Sequence, residues 1–109
     1  MIIGITGYYS SGKSSVAEYL EKRSFTHYSL SDEIRKEAKK RKIKPTRENL
    51  IKLGNKLRRD FGPNILARRV MKKIDNSNHH VISSIRNKNE VLALKELDNF
   101  ILLNITSPI

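Results

Sequence analysis

Apolar positions recur along the chain at two different spacings, and the changes between them mark its elements. The run IIGIT, from Ile2 to Thr6, is short, Ile-rich and apolar, which suits a buried strand. Downstream the spacing becomes helical, with Val16, Ala17 and Leu20 on one face. Thr26 to Leu30 (THYSL) reads as a second short strand. Ser31 then stands as an N-cap, with Asp32 and Glu33 in the first turn, where acids complement the helix dipole. That helix is expected to reach about Lys42.

The segment KIKPT is a break, because Pro45 disfavours helix at the residue before it. Thr46 caps the next helix, whose Leu50, Leu53, Leu57 and Phe61 form an apolar stripe that FGPN terminates. A fourth helix turns Leu66, Val70 and Ile74 inward. His80 to Ser83 (HVIS) is a third strand. Asn87 and Glu90 have the spacing of a capping box, opening a fifth helix with Val91, Leu94 and Leu97. FILLNIT is a fourth strand. Strands alternating with helices predict an α/β domain whose parallel sheet is covered on both faces.

At 109 residues the chain is expected to be one domain, with room for a real core. It has no cysteine, which excludes a disulfide framework and thiolate chemistry. No apolar run approaches the length of a membrane span, and the N-terminus is strand-like rather than a signal peptide, so the expectation is a soluble, cytoplasmic protein. The net charge is +11, and 16 of the 22 Lys and Arg residues fall between Arg35 and Lys73, against Glu37, Glu48 and Asp60 there. Such a stretch suits nucleic acid or another polyphosphate. Its near lack of aromatic residues, Phe61 alone, disfavours base stacking and favours a solvated helical surface.

Residues 7 to 14, GYYSSGKS, satisfy G-x-x-x-x-G-K-[ST] through Gly7, Gly12, Lys13 and Ser14. A strand before and a helix after are the context that makes this pattern a phosphate loop. Glycines at both ends let successive N–H groups turn inward on one anion, and the helix start adds its positive end. Lys13 would reach the terminal phosphates and the Ser14 hydroxyl would ligate Mg²⁺. In an open parallel sheet, ligands sit beyond the carboxyl ends of the strands. Arg35, in SDEIR, and Arg86, in SSIRN, therefore share a rim with the loop and could clamp the phosphate of a second substrate facing ATP.

With these segments the chain resembles the nucleoside monophosphate kinases and their dephospho-CoA kinase relatives. SDEIR is similar to the S/T-G-D-x-L-R motif of adenylate kinases, and SSIR sits where that family carries D-G-x-x-R or D-G/S-x-R. PTRENLIKLGNKLRRDFGPNILARRV and SIRNKNEV are similar to adenylate-kinase-related archaeal proteins and to the kinase-like domain fused to deoxycytidylate deaminases. The resemblance covers essentially all of the chain. It implies a three-layer P-loop NTPase fold, with a parallel sheet of about four strands in the order 2-3-1-4 and without the lid and last strand. It also implies that Gly7, Ser10, Ser11, Gly12, Lys13, Ser14 and Ser15 contact ATP and Mg²⁺. Asp32 and Arg35 would shape the acceptor site, and Arg86 would bind the acceptor phosphate.

Two departures bear on activity. Ser83 stands where the family carries an aspartate, and a neutral hydroxyl cannot replace the charge that holds Mg²⁺ through water. Asp32 is the nearest substitute in sequence. Family members also continue past ITSP into an arginine-bearing lid. Lid arginines contribute several powers of ten in related chemistry. The expectation is an ATP-binding domain with weak or no monophosphate kinase activity. The alternatives are a non-catalytic nucleotide-sensing module serving a partner domain or chain and, less favoured, a basic nucleic-acid-binding protein.

The remaining polar residues carry little. His79 and His80 are adjacent, so on a strand they point to opposite faces, and His27 stands alone. Tyr8 and Tyr9 lie within the loop. No nucleophile–base constellation of the Ser/His/Asp type is readable, and direct in-line transfer needs none.

Overall fold

The computed structural model describes residues 1–7, 13–75 and 78–105, the side chains at 7, 13–15 and 105 excepted. Four strands, β1 (Ile2–Gly7), β2 (Thr26–Ser29), β3 (His80–Ser83) and β4 (Phe100–Ile105), form one parallel sheet in the order β2-β3-β1-β4. Between them run α1 (Lys13–Lys22), α2 (Leu30–Lys40), α3 (Arg47–Phe61), α4 (Ile65–Met71) and α5 (Lys88–Leu94). This is the α/β architecture, and the strand order, expected of a P-loop NTPase.

The two-residue period of the strands divides the core. Ile3, Ile5 and Val81 face α1, where they pack with Ala17 and the partly buried Val16 and Leu20. Ile2 and Ile82 point the other way, into a larger cluster with Leu30, Leu53, Leu57, Leu66, Val70 and Leu94 from α2 to α5. Both faces are covered, as an all-parallel sheet requires. Gly4 lies on the crowded side. A Cβ there would stand 2.6 Å from Phe100 Cζ and 3.1 Å from Ile85 Cδ1.

Two carboxylates of α2, the buried Glu33 and the half-buried Glu37, tie that helix to α4 and the residues just after it. Glu33 accepts from Lys73 and Lys36. Glu37 accepts from Arg41 Nε at 2.7 Å and Arg69 Nη1 at 2.9 Å. These two guanidinium bonds hold the Glu37 carboxyl below its ordinary value, outweighing the opposite effect of burial.

Several boundaries differ from the sequence reading. β2 ends at Ser29 and α2 begins at Leu30, so the N-cap is Ser29 rather than Ser31. The reason is packing. Leu30 is completely buried as the first helical residue, and the Ser29 hydroxyl bonds Ser84 Oγ at 2.8 Å instead of capping the helix. At its other end α2 stops at Lys40, and Lys42 adopts a left-handed φ of 59°. Leu53 and Leu57 are buried and Leu50 is partly so, but Phe61 is 58% exposed, because the chain turns away at Gly62 (φ 112°). Ile74 and Leu97 pack on the core from beyond the ends of α4 and α5. The Thr46 cap is present, its hydroxyl accepting from Asn49 N, and so is the Asn87–Glu90 capping box. No helix among the described residues is long and apolar enough to cross a membrane.

Candidate functional site

All four strands run the same way, so their carboxyl ends share one edge of the sheet. Gly7 ends β1 at that edge, and Lys13, Ser14 and Ser15 open α1. The strand and helix that should flank a phosphate loop are both in place. Tyr8, Tyr9, Ser10, Ser11 and Gly12 lie outside the described residues.

Beside α2 and α3 opens a cavity of ≈ 700 Å³. Its lining combines an apolar surface, from Ile34, Pro45, Leu50 and Ile51, with four arginines, Arg35, Arg47, Arg58 and Arg86. The sequence reading placed Arg35 and Arg86 on one rim, and the structure brings them to one cavity. Arg47 and Arg58 were missed because on α3 they look like any other residue of the basic stretch.

The charges in this cavity are unevenly matched. Arg35 Nη1 donates to Asp32 Oδ1 at 2.8 Å in an exposed pair. Asp32 is not among the cavity's lining residues, so it touches the cavity through Arg35. Arg58 Nε donates to Glu90 Oε2 at 3.2 Å. Among the described residues, the side chains of Arg47 and Arg86 have no ion-pair partner. The cavity therefore carries surplus positive charge, and it suits an anion joined to an apolar body.

Glu90 organises this wall. It is completely buried, yet its carboxylate has three donors. Oε1 accepts from the backbone N–H of Arg86 at 2.7 Å and of Asn87 at 3.2 Å, while Oε2 takes Arg58. One side chain thus satisfies the N-terminus of α5, anchors the segment bearing Arg86 and holds an arginine of α3. The capping-box spacing found Glu90 as a cap. Nothing local in sequence signals its bond to Arg58, 32 residues away.

A second polar group occupies the end of β3. The Ser83 hydroxyl lies 2.6 Å from His27 Nε2, and His27 Nδ1 lies 2.6 Å from Glu21 Oε1. The sequence offered no readable Ser/His/acid constellation; the fold assembles one from α1, β2 and β3. His27 is therefore not isolated. His79 precedes β3, with Nδ1 3.0 Å from the N-terminal amine, and His80 is buried on the strand, its Nε2 3.1 Å from the Asp75 carbonyl.

Comparison with known proteins supplies the lineage. A family model described as an AAA domain matches residues 6–107. The chain belongs to that AAA domain family. Similar curated proteins are each called UPF0200 protein. That of Thermococcus gammatolerans is 38% identical over 95 residues, covering 84% of this chain and 50% of the relative. That of Hyperthermus butylicus is 30% identical over 105 residues, covering 94% and 56%. That of Methanothrix thermoacetophila is 32% identical over 108 residues, covering 98% and 59%. The chain thus spans little more than half the length of these relatives. Membership in the AAA domain family agrees with a P-loop, kinase-like domain of the kind that binds nucleotide. The relatives' name specifies no reaction.

Proposed function

We propose that residues 1–109 form a P-loop kinase-like domain that binds ATP with Mg²⁺ on residues 7–15 and a phosphate-bearing nucleotide in the arginine-lined cavity. The cavity carries this reading: Arg47 and Arg86, which have no ion-pair partner among the described residues, stand beside an apolar wall, and Ser31 and Arg86 of its lining follow the carboxyl ends of β2 and β3. That donor set fits a phosphate dianion and a base, the two halves of a nucleoside monophosphate. Lys13 would neutralise the terminal phosphates of ATP, the hydroxyls of Ser10, Ser11, Ser14 and Ser15 and the neighbouring N–H groups would line them, and Ser14 would hold Mg²⁺. Arg86 would hold the acceptor phosphate, with Arg35 beside it and Asp32 orienting Arg35.

Phosphoryl transfer depends on positioning and on positive charge about the transferring group. In this chain Ser83, engaged by His27, stands where a carboxylate is expected. We accordingly infer nucleotide binding with weak or no transfer to a (deoxy)nucleoside monophosphate. Ser83 also favours a second reading, a non-catalytic nucleotide-binding module working with a partner domain or chain.

Thermal stabilisation by ATP and by monophosphates, each alone, tests the binding. Arg86→Ala should abolish the response to the monophosphate and leave that to ATP nearly intact; equal loss of both would show that Arg86 does not define a separate acceptor site. A coupled assay across the common ribo- and deoxynucleoside monophosphates then separates the two readings. Turnover within the ordinary kinase range of about 1–100 s⁻¹ would overturn the weak-transfer conclusion, and none at all would favour the module.

A further inference from the structure

We propose that the corner between α2 and α3 is a phosphate-backbone track, and that the nucleotide taken by the arginine-lined cavity is the phosphorylated end of a single-stranded nucleic acid. The inference rests on the monophosphate-binding reading of that cavity and narrows its substrate class. Between Ala38 and Arg47 the chain carries Lys39, Lys40, Arg41, Lys42, Lys44 and Arg47 and no acid. Arg41 is held by Glu37. The other five are exposed and, among the described residues, have no ion-pair partner.

The rest of the basic stretch behaves differently. Arg68 pairs with Glu96, Arg69 with Glu37 and Lys73 with Glu33. On α3, Lys52 and Lys56 pair with Glu48 and Asp60 one turn away. Unmatched charge is concentrated at the corner.

The corner is also a fixed frame. α2 closes with the two bonds of a Schellman motif, Ile43 N to the Ala38 carbonyl at 2.8 Å and Lys42 N to the Lys39 carbonyl at 3.2 Å. Ile43 packs on the core. Thr46 N and Asn49 Nδ2 both donate to the Lys44 carbonyl, at 2.8 and 3.0 Å, and the Thr46 cap starts α3. Two cations in this frame stand where local physics disfavours them. Lys42 takes the left-handed position of the motif, φ 59°, which glycine fills with least strain. Arg47 is the first residue of α3, at the positive end of its dipole, where acids are favoured. Lys39 and Lys40 complement the dipole of α2, but Lys42, Lys44 and Arg47 lie outside that helix and have no counter-charge. Residues set against the local rule are expected at functional positions.

Arg47 belongs to both features, since it lines the cavity beside Pro45. A strand laid along the corner would deliver its last nucleotide to Arg47 and Arg86, with the base against Leu50 and Ile51. A base seated in a cavity must be unpaired, which selects a single-stranded end. The track has no aromatic side chain, so it grips phosphates without sequence preference. An anionic membrane fits less well, because the corner exposes no apolar anchor besides Pro45 and the neighbouring apolar surface is concave.

Fluorescence anisotropy on the whole chain, with short single-stranded oligonucleotides ending in a phosphate or a hydroxyl, tests the track; thermal stabilisation by monophosphates is measured in parallel. The phosphate-ended oligonucleotide should bind about tenfold or more tightly than a nucleoside monophosphate or its hydroxyl-ended counterpart. Five phosphate contacts would weaken binding about a hundredfold between about 50 and 200 mM salt. Lys42→Gly removes a charge and relieves the left-handed position, so it should melt no lower than wild type yet reduce the salt slope by about 0.7. Combined with Lys44→Gln it should reduce the slope by about 1.4 and leave monophosphate stabilisation unchanged. Arg86→Ala should erase the preference for a phosphate end. Monophosphate stabilisation with oligonucleotide bound no more tightly would overturn the track and leave the cavity reading standing, whereas absence of both responses would overturn both. An unchanged slope in the double variant would overturn the track, as would binding to phosphatidylserine vesicles in place of oligonucleotides. Equal affinity for phosphate and hydroxyl ends would overturn the assignment of the cavity to the strand end.

Discussion

Glu90→Ala should be among the most damaging single changes in this protein, and the structure allows the cost to be worked out. The carboxylate is fully buried and has three donors: the N–H groups of Arg86 and Asn87 and the guanidinium of Arg58. Truncation leaves Arg58, only 19% exposed in its side chain, without its counter-ion. Breaking a buried pair by removing one partner costs about 3–5 kcal/mol. The two abandoned N–H groups and the lost capping box overlap with that figure rather than adding fully to it. A domain of this size is stable by only about 5–15 kcal/mol in total. The expected loss corresponds to roughly 12 °C or more in Tm, at about 4–8 °C per kcal/mol. Glu90→Gln keeps the shape and one acceptor, so it should cost about 1–3 kcal/mol. Urea unfolding of both variants, and of each combined with Arg58→Leu, gives the coupling directly. A loss below about 1 kcal/mol for Glu90→Ala would refute the account of Glu90 as the buried anchor of this wall.

Lys13→Ala should weaken ATP binding tenfold or more, about 1.4 kcal/mol, as a lost charged contact would; calorimetry showing equal affinity would remove Lys13 from the site. Gly4→Ala drives a methyl into Phe100 and Ile85 and should destabilise by about 1–3 kcal/mol, read as a lower urea midpoint. Glu37 titrates lower when folded than its unfolded value of 4.5, so its contribution is present above that value and disappears as the pH falls through the folded one. The stability difference between wild type and Glu37→Gln should accordingly be fully developed at neutral pH and shrink on acidification; a difference that does not change with pH would contradict the Arg41 and Arg69 bonds as its source.

The sequence by itself determined the elements and their order. Short Ile-rich runs at Ile2, His80 and Phe100, separated by helical spacings, admit few architectures other than a parallel sheet covered on both faces. The caps at Thr46 and Asn87 were readable because a cap is a local event, involving a side chain and an N–H three residues on. The phosphate-loop pattern is local for the same reason. Where the sequence reading slipped, at Ser31 against Ser29, a distant partner intervened: burial of Leu30 drew the helix start forward, and Ser84 took the hydroxyl.

The composition of the site was decided by tertiary structure. Arg47 and Arg58 are indistinguishable in sequence from the other cations of α2 to α4; only the packing of α3 beside the β3–α5 segment brings them into a cavity with Arg86. His27 looked solitary because Glu21 belongs to the preceding helix and Ser83 lies 56 residues away. Glu90 looked like a cap because its bond to Arg58 spans 32 residues. Hydrophobic periodicity reports which face of an element is buried, and carries no information about which polar groups meet once those faces are packed.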